Sequence, residues 1–535
     1  MSEFEVAIGA GPVRRFRDPH AVARTLDAAD DALRQGYWIA GTVAYEGAVA
    51  IGIFDPPESE ALASDGRYAF GAVRADVSSD EYRRAIDEIA DAIYEGDVYQ
   101  VNYTMPFDFR FDGDPYALYA GLAAKSGAAY CGYVRDGDEH VVSFSPELFL
   151  RFEGGRLATK PMKGTAALDR IDDLRTDKNR AEHVMIVDLL RNDLHRICAD
   201  VRVEELFAVE RYPTFATMTS TISGALDRDV RLTDVFRAAF PCGSVTGAPK
   251  RAAMACIART ERRPRGAYCG TLGFLAPERR GWWNVAIRTA QIDAARGAGR
   301  FDAGGGIVAD SDAASERDEI ALKARFFLEG AVPVEAIETF AGGDPAARDA
   351  HLTRMRSTAE TLGTPFHEKR LRDAVSESDR AGALLRVRLT AAGDAIVEPR
   401  PLAAPAEPVA VLLSSARVRS DDPLLRLKTT WRPAQERAAA EADAAGCFDA
   451  LLRNERGELT EGARTTLFAR IDGTLVTPPL EAGLLPGILR ARMLAAGEAV
   501  ERTIAPDDLR RAEAIFVGNS ARGMLRAHLV ETGAG

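Results

Sequence analysis

Between residues 36 and 330, short runs dense in β-branched and aromatic residues, such as "HVVSFSPELFLRF", "AYCGTLGFLA" and "WWNVAIRTAQID", are interleaved with segments of helical period such as "SDEYRRAIDEIADAIYEG" and "RAEHVMIVDLLRNDL". The first kind suits a pleated, half-buried surface, the second an apolar stripe along one helix face. Together they predict an α+β fold built on a large sheet. In the first helical segment Tyr82, Ile86, Ile89, Ala90 and Ile93 recur at spacings of three, four and seven. Ser79 or Asp80 is expected to cap that helix and Gly96 to stop it, and its single apolar face requires a neighbour. The stretch "GYWIAGTVAYEGAVAIGIF" at 36–54 is long enough to span a bilayer, but it is glycine-rich and contains Glu46. It reads as two buried strands joined by a turn.

At 535 residues the chain exceeds a single core and predicts several domains, with room for two unrelated active sites. A boundary is expected in "FLEGAVPVEAIETF", where a helix ends at Gly330 and a new strand begins around Val334, giving units 1–330 and 331–535. Within the second unit the proline-rich stretch "EPRPLAAPAEPVAVLL" at 398–413 reads as a stiff connector between a smaller N-terminal lobe and a larger C-terminal one.

The formal net charge is −12 and no long basic run could follow a phosphate backbone, so nucleic acid is not an expected partner. The six cysteines (Cys131, Cys198, Cys242, Cys256, Cys269 and Cys447) are scattered, with no C-x-x-C pair and no secretory leader ahead of them. A reducing cytoplasm is the expected context, without disulfides, structural zinc or a membrane span.

Chemistry concentrates first around "TKPMKGT" at 159–165. Taken alone, a lysine bounded by Pro161 and Gly164 reads as a solvated loop residue. Two further segments, "PCGSVTGAPK" (241–250) and "FDAGGGIVADSDAASERDEIALKA" (301–324), read as glycine-rich turns leading into helices, where backbone N–H groups can hold a carboxylate.

Together with "EGDVYQVNYT", "SPELFL", "RAEHVMIVDLLRNDL" and "AIRTAQ", these segments resemble, in order, the chorismate-utilising enzymes, the family of anthranilate synthase, aminodeoxychorismate synthase component I and isochorismate synthase. The resemblance implies a large β-sandwich/α domain that binds chorismate. It implies Mg²⁺ held by Glu182 and Glu319, a hard cation that lets a dianionic substrate sit among carboxylates. It places Arg288 on a substrate carboxylate, a task that suits a guanidinium fork, with Tyr268 and the amides of Gly304, Gly305 and Gly306 completing the cradle.

The same family divides by how the ring is attacked. Members that use water carry a base lysine where this chain has Gln100, so hydration is disfavoured. The reading "PMKGT" matches the aminodeoxychorismate synthases rather than the P-I-A-G-T of anthranilate synthases. The implied mechanism makes Lys163 the nucleophile, which needs a neutral amine and therefore desolvation or a cationic neighbour, with Glu147 as acid and base for the departing hydroxyl. Thr217 stands where most relatives have histidine, and its hydroxyl is expected to hydrogen-bond the leaving oxygen; Cys242 replaces the second residue of the usual P-G-G-S. No G-x-C-x-G glutaminase signature occurs, so ammonia from a separate glutamine amidotransferase subunit is implied.

Residues 335–535 resemble the fold-type IV pyridoxal-phosphate enzymes, the family of branched-chain aminotransferase and aminodeoxychorismate lyase. The resemblance rests on "IETF", "HLTRMRSTAETLG", "LLRLKTTWR", "LTEGARTTLFARIDGTLVTPPLEAGLLPGILR" and "VGNSARGML". It implies a two-lobed α+β domain with a shortened N-terminal lobe. It makes Lys428 the Schiff-base lysine and Glu461 the partner of the pyridine nitrogen. Arg354, the amides of Gly487 and Ile488, and Asn519 and Ser520 would hold the phosphate. It also implies a homodimer.

The two resemblances combined imply bifunctional synthesis of 4-aminobenzoate, the aromatic piece of folate, from chorismate. An anthranilate synthase fused to a class IV aminotransferase, a C-terminal D-amino-acid or branched-chain transaminase, and a C-terminal unit that is an inactive module all stay open at this point.

Overall fold

The computed structural model describes residues 3–166, 168–211 and 216–531. The chain forms two compact units, and the division falls between Ala331 and Val332.

In the first unit the expected sheet is doubled. Among the described residues two ten-stranded antiparallel sheets form, and their inner faces share one apolar layer. Phe4, Val6, Ile8 and Phe16 from one sheet meet Ala40, Phe54, Leu272 and Phe274 from the other. Gly132 shows how close the faces come: a Cβ there would stand 2.2 Å from Leu272 Cδ2. The stretch at 36–54 is indeed a strand pair, Trp38–Val43 with Val49–Phe54, in register from Trp38↔Phe54 to Val43↔Val49. Trp38–Val43 is buried at every position from Ile39 to Val43, and Ile39, Val43 and Ile51 enter one core cluster while Ala40 and Phe54 enter another, so the apolar length is used on both faces of the pair.

The helix expected near residue 79 runs Ser79–Tyr94, but its cap is Ser78. Ser78 Oγ accepts from Glu81 N at 3.2 Å and the Glu81 carboxylate accepts from Ser78 N at 2.9 Å, a capping box that neither Ser79 nor Asp80 could complete with a glutamate at the right offset. Tyr82, Ile86 and Ile89 are buried as the period predicts, whereas Ala90 faces outward and Ala85 and Ala92 take its place.

The second unit has the two lobes. Its N-terminal lobe is a three-stranded antiparallel sheet (Ala336–Ala341, Ala383–Leu389, Ala395–Pro401) with the helices Pro345–Leu362 and Glu368–Ser378. The proline-rich connector leads from Pro401 to Val409, the start of an eight-stranded mixed sheet. There Val409–Val418 pairs in parallel with both Asp449–Asn454 and Gly523–Leu529, and the helix Pro433–Ala444 packs over the first pair.

Candidate active sites

The lysine of "PMKGT" is not in a loop. It belongs to the strand Met162–Ala166, paired with Ala216–Leu226 so that Lys163 stands opposite Met218. The ladder bulges immediately after it, at Gly164, whose φ of +71° only glycine adopts without strain. A bulge at this point re-aims the neighbouring side chain. Thr217 is wholly buried and its hydroxyl donates to the Gly164 carbonyl at 2.6 Å, which pins the bulge. This corrects the role expected of Thr217: its one hydroxyl proton holds the backbone beneath Lys163 and is not offered to a leaving oxygen.

Burial pushes the Lys163 amine below its ordinary range, and the nearby Lys323 cation pushes in the same direction; Glu182, Glu147 and Glu319 oppose them without reversing the shift. Both agents that a nucleophilic lysine needs are therefore present. Glu147 is buried, and burial raises its carboxyl to about 7 against the opposing pull of Ser244, Lys163 and the Met162 N–H. Ser244 and the Met162 N–H act to lower this carboxyl, and its Oε1 is buried with no hydrogen-bond partner. A buried carboxyl with one oxygen bare and poised near neutrality has the form of a general acid and base.

The glycine run at 304–306 is a second correction. It lies inside the strand Ala298–Ile307, in antiparallel register with Gln100–Gly113, and not in a turn. An antiparallel ladder uses alternate amides for the partner strand and turns the others away, so the three are not equivalent donors to a ligand. What the glycines provide is room. A Cβ on Gly304 would stand 3.2 Å from Tyr268 Oη and 3.1 Å from Asn102 Nδ2; one on Gly306 would stand 2.5 Å from Gln100 Nε2 and 3.4 Å from Lys163 Nζ. Gly305 points the other way, toward Glu316. Tyr268, Gln100 and Lys163 thus meet over a floor without side chains. Arg288 lies between two strands in left-handed backbone, φ +50°, with its carbonyl accepting from Phe144 N at 3.0 Å, a strained position for a residue with a side chain.

Glu182 is on the helix Asp177–His195 and Glu319 on Ala313–Leu328, and both act on the Lys163 charge. Glu319 pairs with Lys323 at 2.8 Å, and Lys323 also donates to the Gly304 carbonyl at 3.0 Å. Burial first, then Glu319 and Glu182, hold the Glu316 carboxyl above its usual range. No cluster of three or more His, Cys, Asp or Glu side chains among the described residues could hold an ion alone. Mg²⁺ commonly takes one or two protein carboxylates and completes its shell with water and substrate oxygens, and the mutually repelling glutamates here fit such an ion. Lys323, Glu316, Ser244 and His183 do not stand out in the sequence; Lys323 lies one helical turn beyond Glu319, the one spacing that could mark it.

In the second unit Lys428 is largely buried, and burial lowers its amine to about 8, helped by Arg354 and Arg432 and opposed by Glu338 and Glu461. Glu461 is buried in the strand Leu459–Gly462, and its carboxyl is raised by burial against Arg432 and long contacts from Leu485 N (3.3 Å) and Gln435 Nε2 (3.5 Å). A buried carboxylate so weakly satisfied, near a buried lysine of lowered pKa, fits a protonated pyridine nitrogen and hence pyridoxal phosphate.

The expected phosphate set is rearranged. Arg354 donates through Nε and Nη2 to Glu338, at 2.7 and 2.8 Å, and through Nη1 to the Pro486 carbonyl, so much of its fork is already engaged. Asn519 closes the turn before Gly523, its Oδ1 accepting from Ala521 N and Arg522 N, and Ser520 Oγ bonds His351 Nε2 at 2.7 Å. These side chains hold scaffold in this structure. Gly487 and Ile488 do begin the helix Ile488–Ala495, with Gly487 as N-cap and no side-chain cap on the first-turn amides. A Cβ on Gly487 would meet Thr466 Oγ1 at 2.8 Å. Glu338 is the residue the sequence does not reveal: wholly buried, it also takes His351 Nδ1 at 2.6 Å and lies 3.8 Å from Lys428 Nζ, and its carboxyl is held well below the usual range by Arg354 and Lys428 against desolvation.

A sandwich of this form with a buried lysine, an acid and a helix-borne glutamate pair defines a chorismate enzyme, and the profile of the chorismate binding enzymes matches residues 54–329. The chain belongs to that family; residues 334–530 match the profile of class IV aminotransferases. Aminodeoxychorismate synthase component 1 of Salmonella typhimurium is 38% identical over 252 residues, covering 45% of this chain and 55% of the relative. That of Escherichia coli is 35% identical over 279 residues, covering 50% and 59%. The chain thus spans just over half the length of these curated relatives. Anthranilate synthase component I from Streptococcus pneumoniae superposes with a TM-score of 0.51 at 21% identity, over 60% of this chain and 91% of that one, and shares the fold.

Proposed function

We propose that the first unit aminates chorismate to 4-amino-4-deoxychorismate and that the second eliminates pyruvate from it to give 4-aminobenzoate. The observation that carries the reading is the Lys163 amine, its pKa depressed, beside a Glu147 with one oxygen bare. The neutral amine adds to ring carbon C2, both ring double bonds shift (C1=C2 to C6=C1, C5=C6 to C4=C5), and the C4–O bond breaks while Glu147 gives its proton to the departing hydroxyl. Ammonia then bonds at C4, both double bonds return, and the C2–N bond to Lys163 breaks. Glu147, now a carboxylate, takes the surplus proton of the incoming ammonia. Glu182 and Glu319 would hold Mg²⁺, which supplies positive charge for the ring carboxylate; Arg288 and Tyr268 would orient the substrate. Gln100 offers an amide where a hydrating enzyme needs a base.

In the second unit Lys428, Glu461 and the Gly487 and Ile488 amides would hold pyridoxal phosphate, which supplies an electron sink for the substrate's amine-bearing carbon. Lys428, with an amine near 8, can take the C4 proton as pyruvate departs and the ring becomes aromatic. The domain assignment, 1–330 and 331–535, follows this division of labour. Ammonia would come from a separate glutamine amidotransferase, and the second unit would pair as a homodimer. The support is the likeness to aminodeoxychorismate synthases together with the class IV match.

Anthranilate synthases also match, that of Haloferax volcanii at 37% identity, so amination at C2 is the reading to test against. Incubation with chorismate, ammonium, Mg²⁺ and pyridoxal phosphate should yield 4-aminobenzoate by mass and fluorescence, and Lys428→Ala should accumulate 4-amino-4-deoxychorismate. Formation of 2-aminobenzoate would overturn the proposal.

A further inference from the structure

Displacing Thr217 from the chemistry leaves the departing C4 oxygen without the donor expected there, and the structure holds a buried imidazole close by. His183 follows Glu182 on the helix Asp177–His195 and heads its buried stripe, which continues through Ile186, Val187, Leu190 and Leu194. The ring is wholly buried, 5.8 Å from the Phe207 ring, and Nε2 lies 2.7 Å from Ser220 Oγ. Ser220 sits two residues beyond Met218, the residue opposite Lys163, so serine and lysine share one face of the sheet. The helix brings His183 onto that face.

The hydrogen bonds decide which nitrogen carries the proton. Ser220 Oγ already accepts from Phe207 N at 3.1 Å. Its own hydrogen has one acceptor in reach among the described residues, His183 Nε2. Donation there satisfies both groups, whereas the opposite arrangement would leave a serine hydrogen unmatched in the interior. The imidazole therefore bears its proton on Nδ1, and Nδ1 has no partner although the ring is wholly buried. A buried N–H left bare in this way costs stability comparable to a lost hydrogen bond unless a ligand completes it.

We propose that His183 is a substrate-contacting residue of the amination site, its Nδ1–H held by Ser220 as the hydrogen-bond donor to the oxygen that leaves C4. This rests on the amination reading above and adds to it the group that receives the leaving oxygen. His183 moves no proton; it holds the oxygen while Glu147 protonates it.

Two substitutions separate this role from a packing role. H183Q places an amide where Nε2 was and keeps the Ser220 contact but loses the inner donor. H183N places an amide where Nδ1 was and keeps the donor but loses Ser220. Both are assayed in the full chain for 4-amino-4-deoxychorismate formation at saturating ammonium, with melting temperatures measured alongside. H183Q should lose at least roughly tenfold in kcat, the scale of one neutral hydrogen bond, with little change in KM or melting temperature, and H183N should recover most of that loss. H183Q at the parent rate, or both variants losing turnover only in step with melting temperature, would overturn the inference. A parent enzyme unable to aminate chorismate at C4 would instead overturn the reading on which it rests.

Discussion

Replacing Gly306 by alanine adds one methyl group at the point where Lys163 and Gln100 meet. The new carbon would stand 2.5 Å from Gln100 Nε2, about 1 Å inside the ordinary contact of roughly 3.5 Å, and 3.4 Å from Lys163 Nζ. The strand backbone at Gly306 is not left-handed, so no conformational penalty is added and the effect is purely steric. Gln100 is 1% exposed and cannot swing into solvent, so the strain must be taken up within the site. Overpacking of this kind costs about 1–3 kcal/mol of stability, while a displacement of about 1 Å at a reacting group costs on the order of 10²-fold in rate. Gly306→Ala should therefore lose on the order of 10²-fold in amination while remaining folded. Gly305→Ala is the internal comparison: its Cβ would meet Glu316 Oε2 at 3.3 Å and Ile320 Cγ1 at 3.7 Å on the opposite face, and its loss should be far smaller. The assay is initial-rate formation of 4-amino-4-deoxychorismate from chorismate and ammonium. Equal losses in the two variants, or parental activity in Gly306→Ala, would refute the assignment of this strand face to the substrate.

Because Glu147 must be protonated to release the hydroxyl, amination should fall as pH rises through about 7, while the acid side should rise as Lys163 loses its proton. Ser244 lowers the Glu147 pKa, so Ser244→Ala should move the alkaline limb to higher pH in a pH–rate profile; an unmoved limb would detach Glu147 from it. Glu338→Ala leaves Arg354, His351 and Lys428 without their shared buried acceptor, and should destabilise the second unit by about 3–5 kcal/mol, measured by thermal unfolding, and weaken pyridoxal phosphate retention, measured by absorbance.

The order of the motifs makes both families legible in the sequence, because glutamates on helices and lysines in fixed local phrases survive as text. The strand pair at 36–54 is equally plain, since Glu46 and the glycines break any membrane reading. Two backbone facts are not legible. Gly304 to Gly306 carry no side chains, so the two-residue alternation that marks a strand is invisible there, and only pairing with Gln100–Gly113 reveals it. Pro161 and Gly164 read as loop punctuation, yet the glycine serves a bulge in a paired strand. The same limit hides Glu338 and His183, whose importance lies in partners 16 and 37 residues away, Arg354 and Ser220. Spacing along the chain carries no trace of such contacts.

The amine at position 163 is the centre of the proposed chemistry, and Lys163→Ala in the 535-residue chain tests it most directly, with melting temperature as the control for folding. Chorismate, ammonium and Mg²⁺ should then give no 4-amino-4-deoxychorismate, while the second unit still converts that compound, supplied separately, to 4-aminobenzoate. A folded variant that aminates chorismate at C4 as fast as the parent would contradict a nucleophilic Lys163.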